Sequence, residues 1–219
     1  MNEQTWKRGF LQVVVLFIGI PVLLYVTMDI PRRTLLKESL SLLSIFAFTL
    51  IIAQFFLTRC TRGMFGNNSV SGIIKIHKVL GYVFLPVLLV HPFLIVVPRY
   101  FEAGINSSDA FLTIITSVGN VGIVTGISAW SLMLLLGITS LLRKQLFANY
   151  KTWRVMHGLL SVLFIICASW HAINLGRHMT PLLCTYLIAG VTGGVCLLLK
   201  TNLPRRQAVQ EQLYDTATR

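Results

Sequence analysis

Long apolar stretches alternate with short polar segments along almost the whole chain. Each stretch approaches the roughly 20 residues that a helix needs to cross the hydrocarbon core of a bilayer. The pattern predicts six membrane-spanning helices, approximately at 10–28, 40–57, 76–97, 111–142, 153–175 and 181–199. We therefore expect an all-α integral membrane protein, with a six-helix bundle in residues 1–200 and a cytoplasmic polar tail in 201–219.

Two features interrupt the apolar stretches. The fourth is too long for one straight crossing and contains several glycines, so we expect its outer part to be a loop or a tilted extension. Pro21 and Pro86 lie inside the first and third stretches, where a membrane helix tolerates proline if its neighbours satisfy the freed backbone groups.

Composition supports the membrane assignment. Hydrophobic residues make up 55% of the 219 residues and charged residues only 12%, whereas a soluble domain has about 25% charged residues. The net charge of +12 comes from basic residues at the ends of apolar runs, not from one patch. The expected surroundings are therefore a lipid bilayer, and nucleic-acid binding is not expected.

The distribution of basic residues predicts the orientation. Most of the 19 Lys and Arg residues lie before the first span, between the second and third, between the fourth and fifth, and after the sixth. Since cytoplasmic segments carry an excess of Lys and Arg, both termini are expected in the cytoplasm. A multi-pass protein of a bacterial inner membrane is the expected localisation.

Four histidines form two pairs with the same spacing. His77 and His91 are 14 residues apart on the third predicted span, and His157 and His171 are 14 residues apart on the fifth. Fourteen residues fall about 40° short of four helical turns and rise about 21 Å, so the members of a pair share one face at two depths. With both spans running outward, His77 and His157 lie at the inner level, and His91 and His171 at the outer level.

Paired histidines at two matching depths indicate two stacked haems with bis-imidazole coordination, a ligation suited to electron transfer. The four cysteines form no C-x-x-C-H motif, so the expected cofactor is haem b, held by coordination alone. A histidine in a membrane span also serves proton relays or helix packing. A non-redox transporter or assembly factor therefore stays open as an alternative.

Small and basic residues accompany the histidines. Gly81 and Gly158 lie where a flat macrocycle needs room, and basic residues near the inner histidines are candidates to pair with haem propionates, although membrane anchoring explains them equally well. His178 is expected to be a loop residue and not a fifth ligand. The candidate cofactor-binding basic residues are Arg59, Arg62, Lys75 and Arg154, with Arg99, Arg177 and His178 as outer counterparts.

The segments around the four histidines resemble a known family. Residues 74–82 (IKIHKVLGY), followed by His91, are similar to the third-helix motif of the ferric reductase-like transmembrane domain. Residues 153–158 (WRVMHG) and 168–172 (ASWHA) resemble its fifth-helix motif. The superfamily contains NADPH oxidases, ferric reductases and the bacterial haem subunit of the methionine sulfoxide repair system.

The resemblance implies an oxidoreductase subunit that moves electrons from a cytoplasmic flavin through two haems to an extracytoplasmic acceptor. The larger members continue into a domain that binds FAD and NADPH, and no G-x-G-x-x-G motif occurs here. We therefore expect electrons from a separate flavoprotein or reductase subunit, and a redox partner, oxygen or ferric iron as acceptor. A flavin or quinone at one edge, as in a quinol-coupled cytochrome b subunit, stays open.

Overall fold

A computed structural model describes residues 11–64, 70–104 and 106–202, and every regular element in these ranges is helical. The polar tail predicted at 201–219 lies outside them, apart from its first two residues, which continue the last helix. The helices are α1 (Leu11–Thr27), α2 (Leu35–Met64), α3 (Val70–Ala103), α4 (Ser107–Thr116), α5 (Val121–Leu141), α6 (Tyr150–Leu175) and α7 (Pro181–Asn202), with one further turn at Arg143–Leu146. The all-α prediction is confirmed.

Five of the helices are long and apolar enough to cross a membrane. Their spans are Leu35–Leu57, Gly72–Pro98, Val121–Leu141, Tyr150–Leu175 and Pro181–Lys200, which match the second to sixth predicted spans. The chain is therefore a multi-pass integral membrane protein. The first predicted span is a shorter apolar helix, α1, which contains a π-helical turn at Val15–Gly19. The described helices thus support five spans by length, and the first predicted span, at 10–28, stays a prediction.

The long fourth stretch is two helices, and its outer part is a separate short helix, α4, and not the expected loop or tilted extension. A turn at 117–120 separates the short α4 from the membrane-length α5. The side chain of Asn106 accepts a hydrogen bond from the backbone N–H of Ser108 at the start of α4, and Asn120 accepts one from Gly122 at the start of α5. Each asparagine satisfies a backbone donor that has no partner within its helix, which explains why new helices begin at these positions.

Helix α3 continues through three prolines, Pro86, Pro92 and Pro98. Proline removes a backbone hydrogen bond and leaves a carbonyl of the preceding turn exposed. A neighbouring helix supplies a donor in this region, since Trp130 Nε1 on α5 donates to the carbonyl oxygen of Leu89 at 2.9 Å. Leu89 is not four residues before any of the three prolines, so this contact joins α3 to α5 without replacing a hydrogen bond lost to proline.

Helix α2 is the centre of the bundle. It packs against α1, α3 and α7, while α6 packs against α5 and α7. The closest approach between α2 and α7 uses a glycine, because a Cβ at Gly194 would lie 2.8 Å from Cβ of Phe55. The shared core includes Ile52, Ala53, Met133, Ile165 and Leu187. Among the described residues, the two histidine-bearing helices, α3 and α6, make no extended backbone contact with each other.

Candidate functional site

The inner histidines meet between α3 and α6. The imidazole centroids of His77 and His157 are 6.3 Å apart, and the ring planes make an angle of 76°. A bond from a metal to an imidazole nitrogen is about 2 Å long, so two imidazoles on opposite sides of one metal hold their ring centres roughly 6 Å apart. The pair therefore has the separation that two axial ligands of one iron require.

Two contacts orient the ring of His157. Ser140 Oγ on α5 lies 3.2 Å from His157 Nδ1. On the same helix as His157, the Trp153 ring stacks against the imidazole, with 5.2 Å between the centroids and 30° between the planes. The guanidinium of Arg143 lies 5.1 Å from the centre of the Trp153 ring. At the inner site the Arg143 guanidinium, the Trp153 indole and the His157 imidazole thus stack in this order.

The outer histidine of α3 is tied to α2. His91 Nδ1 lies 3.0 Å from Ser44 Oγ, and Ser44 Oγ donates to the carbonyl oxygen of Leu40 at 2.9 Å. A hydroxyl has one hydrogen, so Ser44 accepts the hydrogen bond from a protonated His91 Nδ1. This arrangement leaves Nε2 of His91 as the nitrogen with a lone pair for a metal.

The outer histidine of α6 is tied to α5 in a similar way. His171 Nδ1 donates to the carbonyl oxygen of Gly122 at 2.8 Å. A Cβ at Gly126 would lie 2.4 Å from His171 Nδ1, so the ring occupies space that only glycine provides. Both outer histidines therefore carry the Nδ1–H that metal-bound histidines usually donate to the protein.

The glycines near the inner histidines divide into two roles. A Cβ at Gly81, one turn after His77, would meet nothing within 4 Å, so this position opens onto free space. A Cβ at Gly158 would lie 3.7 Å from Leu198 Cδ1 on α7. Gly158 is buried and serves the packing of α6 on α7, so the expectation that it makes room for a macrocycle was wrong. Of the two glycines, only Gly81 has open space around it.

The predicted basic ligands are partly described. Lys75 and Arg154 are exposed and lie within one turn of His77 and His157. Arg59 and Arg62 lie in the last two turns of α2, but their side chains are outside the described part of the structure, as is the side chain of Arg99. Lys75 and Arg154 are thus at the inner histidine level, and their pairing with propionates stays a prediction.

A partly buried polar cluster lies at the end of α1 and the start of α2, on the side predicted to be outer. We call it the outer polar cluster and define it by its members, Tyr25, Arg33, Glu38, Ser41 and His178. Glu38 accepts hydrogen bonds from the Tyr25 hydroxyl and, at 3.1 Å, from Arg33 Nε. Arg33 also donates to Ser41 Oγ at 2.7 Å, and His178 Nε2 lies 3.6 Å from Glu38 Oε2. Glu38 therefore compensates the charge of Arg33 within the protein.

His178 differs from the expectation of an ordinary loop residue. It lies between α6 and α7, as predicted, but only 5% of its surface is exposed. Burial lowers the pKa of His178, and the nearby Glu38 carboxylate partly opposes this effect. Arg177 donates to the carbonyl oxygen of Pro31 at 3.1 Å. Two of the three outer candidates for propionate pairing, Arg177 and His178, thus have protein partners here.

Sequence reasoning missed the groups that hold the histidine rings. Ser44, Gly122 and Ser140 lie on helices other than those of the histidines they contact. Some serines in apolar helices bind an imidazole of another helix, and others bind only a carbonyl of their own helix. The local sequence does not distinguish the two kinds. Gly126 was recognised only as an interruption of the fourth stretch, although it fits against His171.

The profile of the family described as "Ferric reductase like transmembrane component" matches residues 43–168. The chain belongs to this family. The matched range contains His77, His91 and His157 and ends three residues before His171. This family indicates transmembrane electron transfer, and the predicted resemblance is confirmed.

One protein similar to this chain is described as an uncharacterized protein of Archaeoglobus fulgidus. The two sequences are 42% identical over 159 residues, which cover 73% of this chain and 86% of the relative. No solved structure matches the chain significantly.

Proposed function

We propose that this ferric reductase-like protein is a di-haem b-type cytochrome that carries electrons across the membrane. His77 and His157 would be the axial ligands of an inner haem, and His91 and His171 those of an outer haem. The observation that carries the proposal is the 6.3 Å separation of the His77 and His157 rings on two helices that otherwise stand apart. This spacing leaves room for one metal between the two imidazoles.

Haem iron with two imidazole ligands supplies reversible one-electron chemistry. The chain's own residues hold the ligands and fix their orientation. Ser44, Gly122 and Ser140 contact the Nδ1 atoms of His91, His171 and His157. The fourteen-residue spacing on α3 and on α6 separates the two ligand levels by about 21 Å, which spreads them over most of the membrane core.

The donor would act at the face that carries Lys75, Lys78, Lys144, Lys151 and Arg154. These five side chains are exposed near the starts of α3 and α6. A basic surface attracts an acidic partner and speeds its encounter, so a cytoplasmic flavoprotein or reductase subunit is the proposed donor. The acceptor would act on the opposite side, in an arrangement with six spans and both termini in the cytoplasm.

Electron transfer across a sealed vesicle tests this function. Liposomes containing the haem-loaded chain and trapped ferricyanide would be exposed to external dithionite, which does not cross the bilayer. We expect rapid bleaching of the ferricyanide with the wild-type chain and with His178→Gln, and slow bleaching with His77→Ala. A wild-type rate equal to that of protein-free liposomes would contradict the proposal.

The same preparation separates two kinds of donor. A quinol analogue would be added to the oxidised chain without any flavoprotein. We expect the spectrum to remain that of oxidised haem, because the proposed donor is a protein and the proposed function includes no quinone site. Reduction at a catalytic rate would instead establish the quinol-coupled alternative.

A further inference from the structure

Ser44 on α2 contacts the outer histidine of α3, His91. Its Oγ lies 3.0 Å from His91 Nδ1, and its own hydrogen points to the carbonyl oxygen of Leu40 at 2.9 Å. Because that hydrogen is committed, the hydroxyl faces His91 with a lone pair. The contact crosses from α2 to α3, two helices that pack closely along each other. It therefore links the position of the imidazole to the packing of the bundle.

We propose that Ser44 is a positioning residue for the outer haem, a role that rests on the proposed function. By accepting the Nδ1–H bond, Ser44 fixes the tautomer of His91 and directs Nε2 to the metal. An acceptor on the far nitrogen also makes a coordinating imidazole more basic. A more basic ligand stabilises ferric iron, so Ser44 lowers the reduction potential of the outer haem.

The surroundings distinguish Ser44 from the serine at the inner level. Ser44 and His91 are both half-buried inside a membrane span, where little water is present to replace a lost partner. Ser140 is exposed at the end of α5 and lies 3.2 Å from His157 Nδ1, slightly farther than Ser44 lies from His91. Removal of the hydroxyl is therefore expected to affect the outer haem more than the inner one.

The chain offers a matched control and a conservative replacement. Ser128 on α5 is also half-buried, and its hydroxyl donates at 2.9 Å to a carbonyl one turn earlier, that of Val124, as Ser44 does to Leu40. Ser128→Ala thus removes the same type of bond within a helix. Ser44→Thr keeps a hydroxyl that binds the preceding turn. Compared with Ser44→Ala, these two variants separate the loss of the imidazole contact from the general effect of replacing a serine in a helix.

The test uses the full-length, haem-loaded chain in detergent. Both reduction potentials would be measured by optical titration, with the outer haem identified as the one lost in His91→Ala. We expect Ser44→Ala to raise the outer potential, to leave the inner one unchanged, and to weaken retention of the outer haem by about 10–100-fold. Ser44→Thr and Ser128→Ala should match the wild type, and only Ser44→Ala should change the low-spin electron paramagnetic resonance signal of the outer haem.

The possible outcomes separate this role from the proposed function. Two haems in the wild type with an unchanged outer potential in Ser44→Ala would overturn the role of Ser44 alone. Equal changes in Ser44→Thr and Ser44→Ala would overturn it too, because the hydroxyl would not be the cause. A wild-type chain that binds no b-type haem would refute the proposed function itself.

Discussion

His77 and His157 lie on different helices, and their imidazole centroids are 6.3 Å apart. Helices α3 and α6 make no extended backbone contact within the described ranges, yet these two side chains meet between them. Two imidazoles on opposite sides of one metal have their ring centres roughly 6 Å apart. The observed separation supports the proposal that the two rings hold one iron between them.

Loss of one inner ligand should remove one haem. His77→Ala and His157→Ala each delete an imidazole of the inner pair, and His91 and His171 keep the contacts of their Nδ1 atoms on α2 and α5. We expect at most about half of the wild-type haem absorbance in purified protein, because the inner haem is lost and the outer haem is partly retained. The pyridine haemochrome spectrum measures this content. Full haem content in both variants would remove these residues from the ligand set.

A methyl group at Gly126 should displace the outer ligand. The added Cβ would lie 2.4 Å from His171 Nδ1, a distance that forces the ring or the helix to move. We expect Gly126→Ala to weaken binding of the outer haem by about 10–100-fold while the inner haem stays bound. Haem content after gel filtration, together with the optical spectrum of the remaining haem, measures the effect.

Gly137 is the matched control on the same helix. A Cβ at this position would lie 3.7 Å from Leu85 Cδ2, which is ordinary van der Waals contact. Alanine is a better helix former than glycine, so Gly137→Ala should be neutral or stabilising by up to about 1 kcal/mol. Equal haem loss in both variants would attribute the effect to α5 in general and not to the ring of His171.

The outer polar cluster should depend on Glu38. Only 12% of the Glu38 side chain and 28% of the Arg33 side chain are exposed, so Glu38→Ala leaves poorly hydrated donors without their acceptor. We expect a loss of about 1–3 kcal/mol in the free energy of unfolding. Thermal unfolding in detergent checks this value. Asp109→Asn is the control, because Asp109 is exposed on α4. It should lower the free energy of unfolding by less than about 1 kcal/mol.

Stability should fall as the pH is lowered below the ordinary histidine range. Burial lowers the pKa of His178, and the cations of Arg33, Arg177 and Arg32 act in the same direction, while Glu38 opposes them. Below a pH of about 6.5 the unfolded chain takes up a proton that folded His178 resists, so acid favours unfolding. Melting temperature against pH, compared between the wild type and His178→Gln, measures this contribution. Parallel curves would contradict it.

The spans and the histidine pairs were readable from the sequence because both depend on spacing within one helix. Five predicted spans are membrane-length helices, and His77 and His157 were expected at one level. The contact between His91 and Ser44 could not be predicted from the sequence, because it depends on the relative register of α2 and α3. The register of two helices is set by the packing of their whole faces, and no local sequence pattern predicts it.

The outer polar cluster shows the same limit. Glu38 lies within 4 Å of the guanidinium groups of both Arg32 and Arg33. The sequence separation is short, but the pairing requires the segment after α1 to fold back onto the start of α2. The expected role of Gly158 also depended on packing between helices, because this glycine is buried against Leu198 of α7.

The ratio of haem to polypeptide in the purified full-length chain tests the central claim most directly. The chain would be produced in a host that supplies haem, purified in mild detergent, and assayed by pyridine haemochrome and quantitative amino-acid analysis. The account predicts two b-type haems for each chain and no covalently attached haem. A chain that is folded and monodisperse, yet binds no haem after reconstitution, would contradict it.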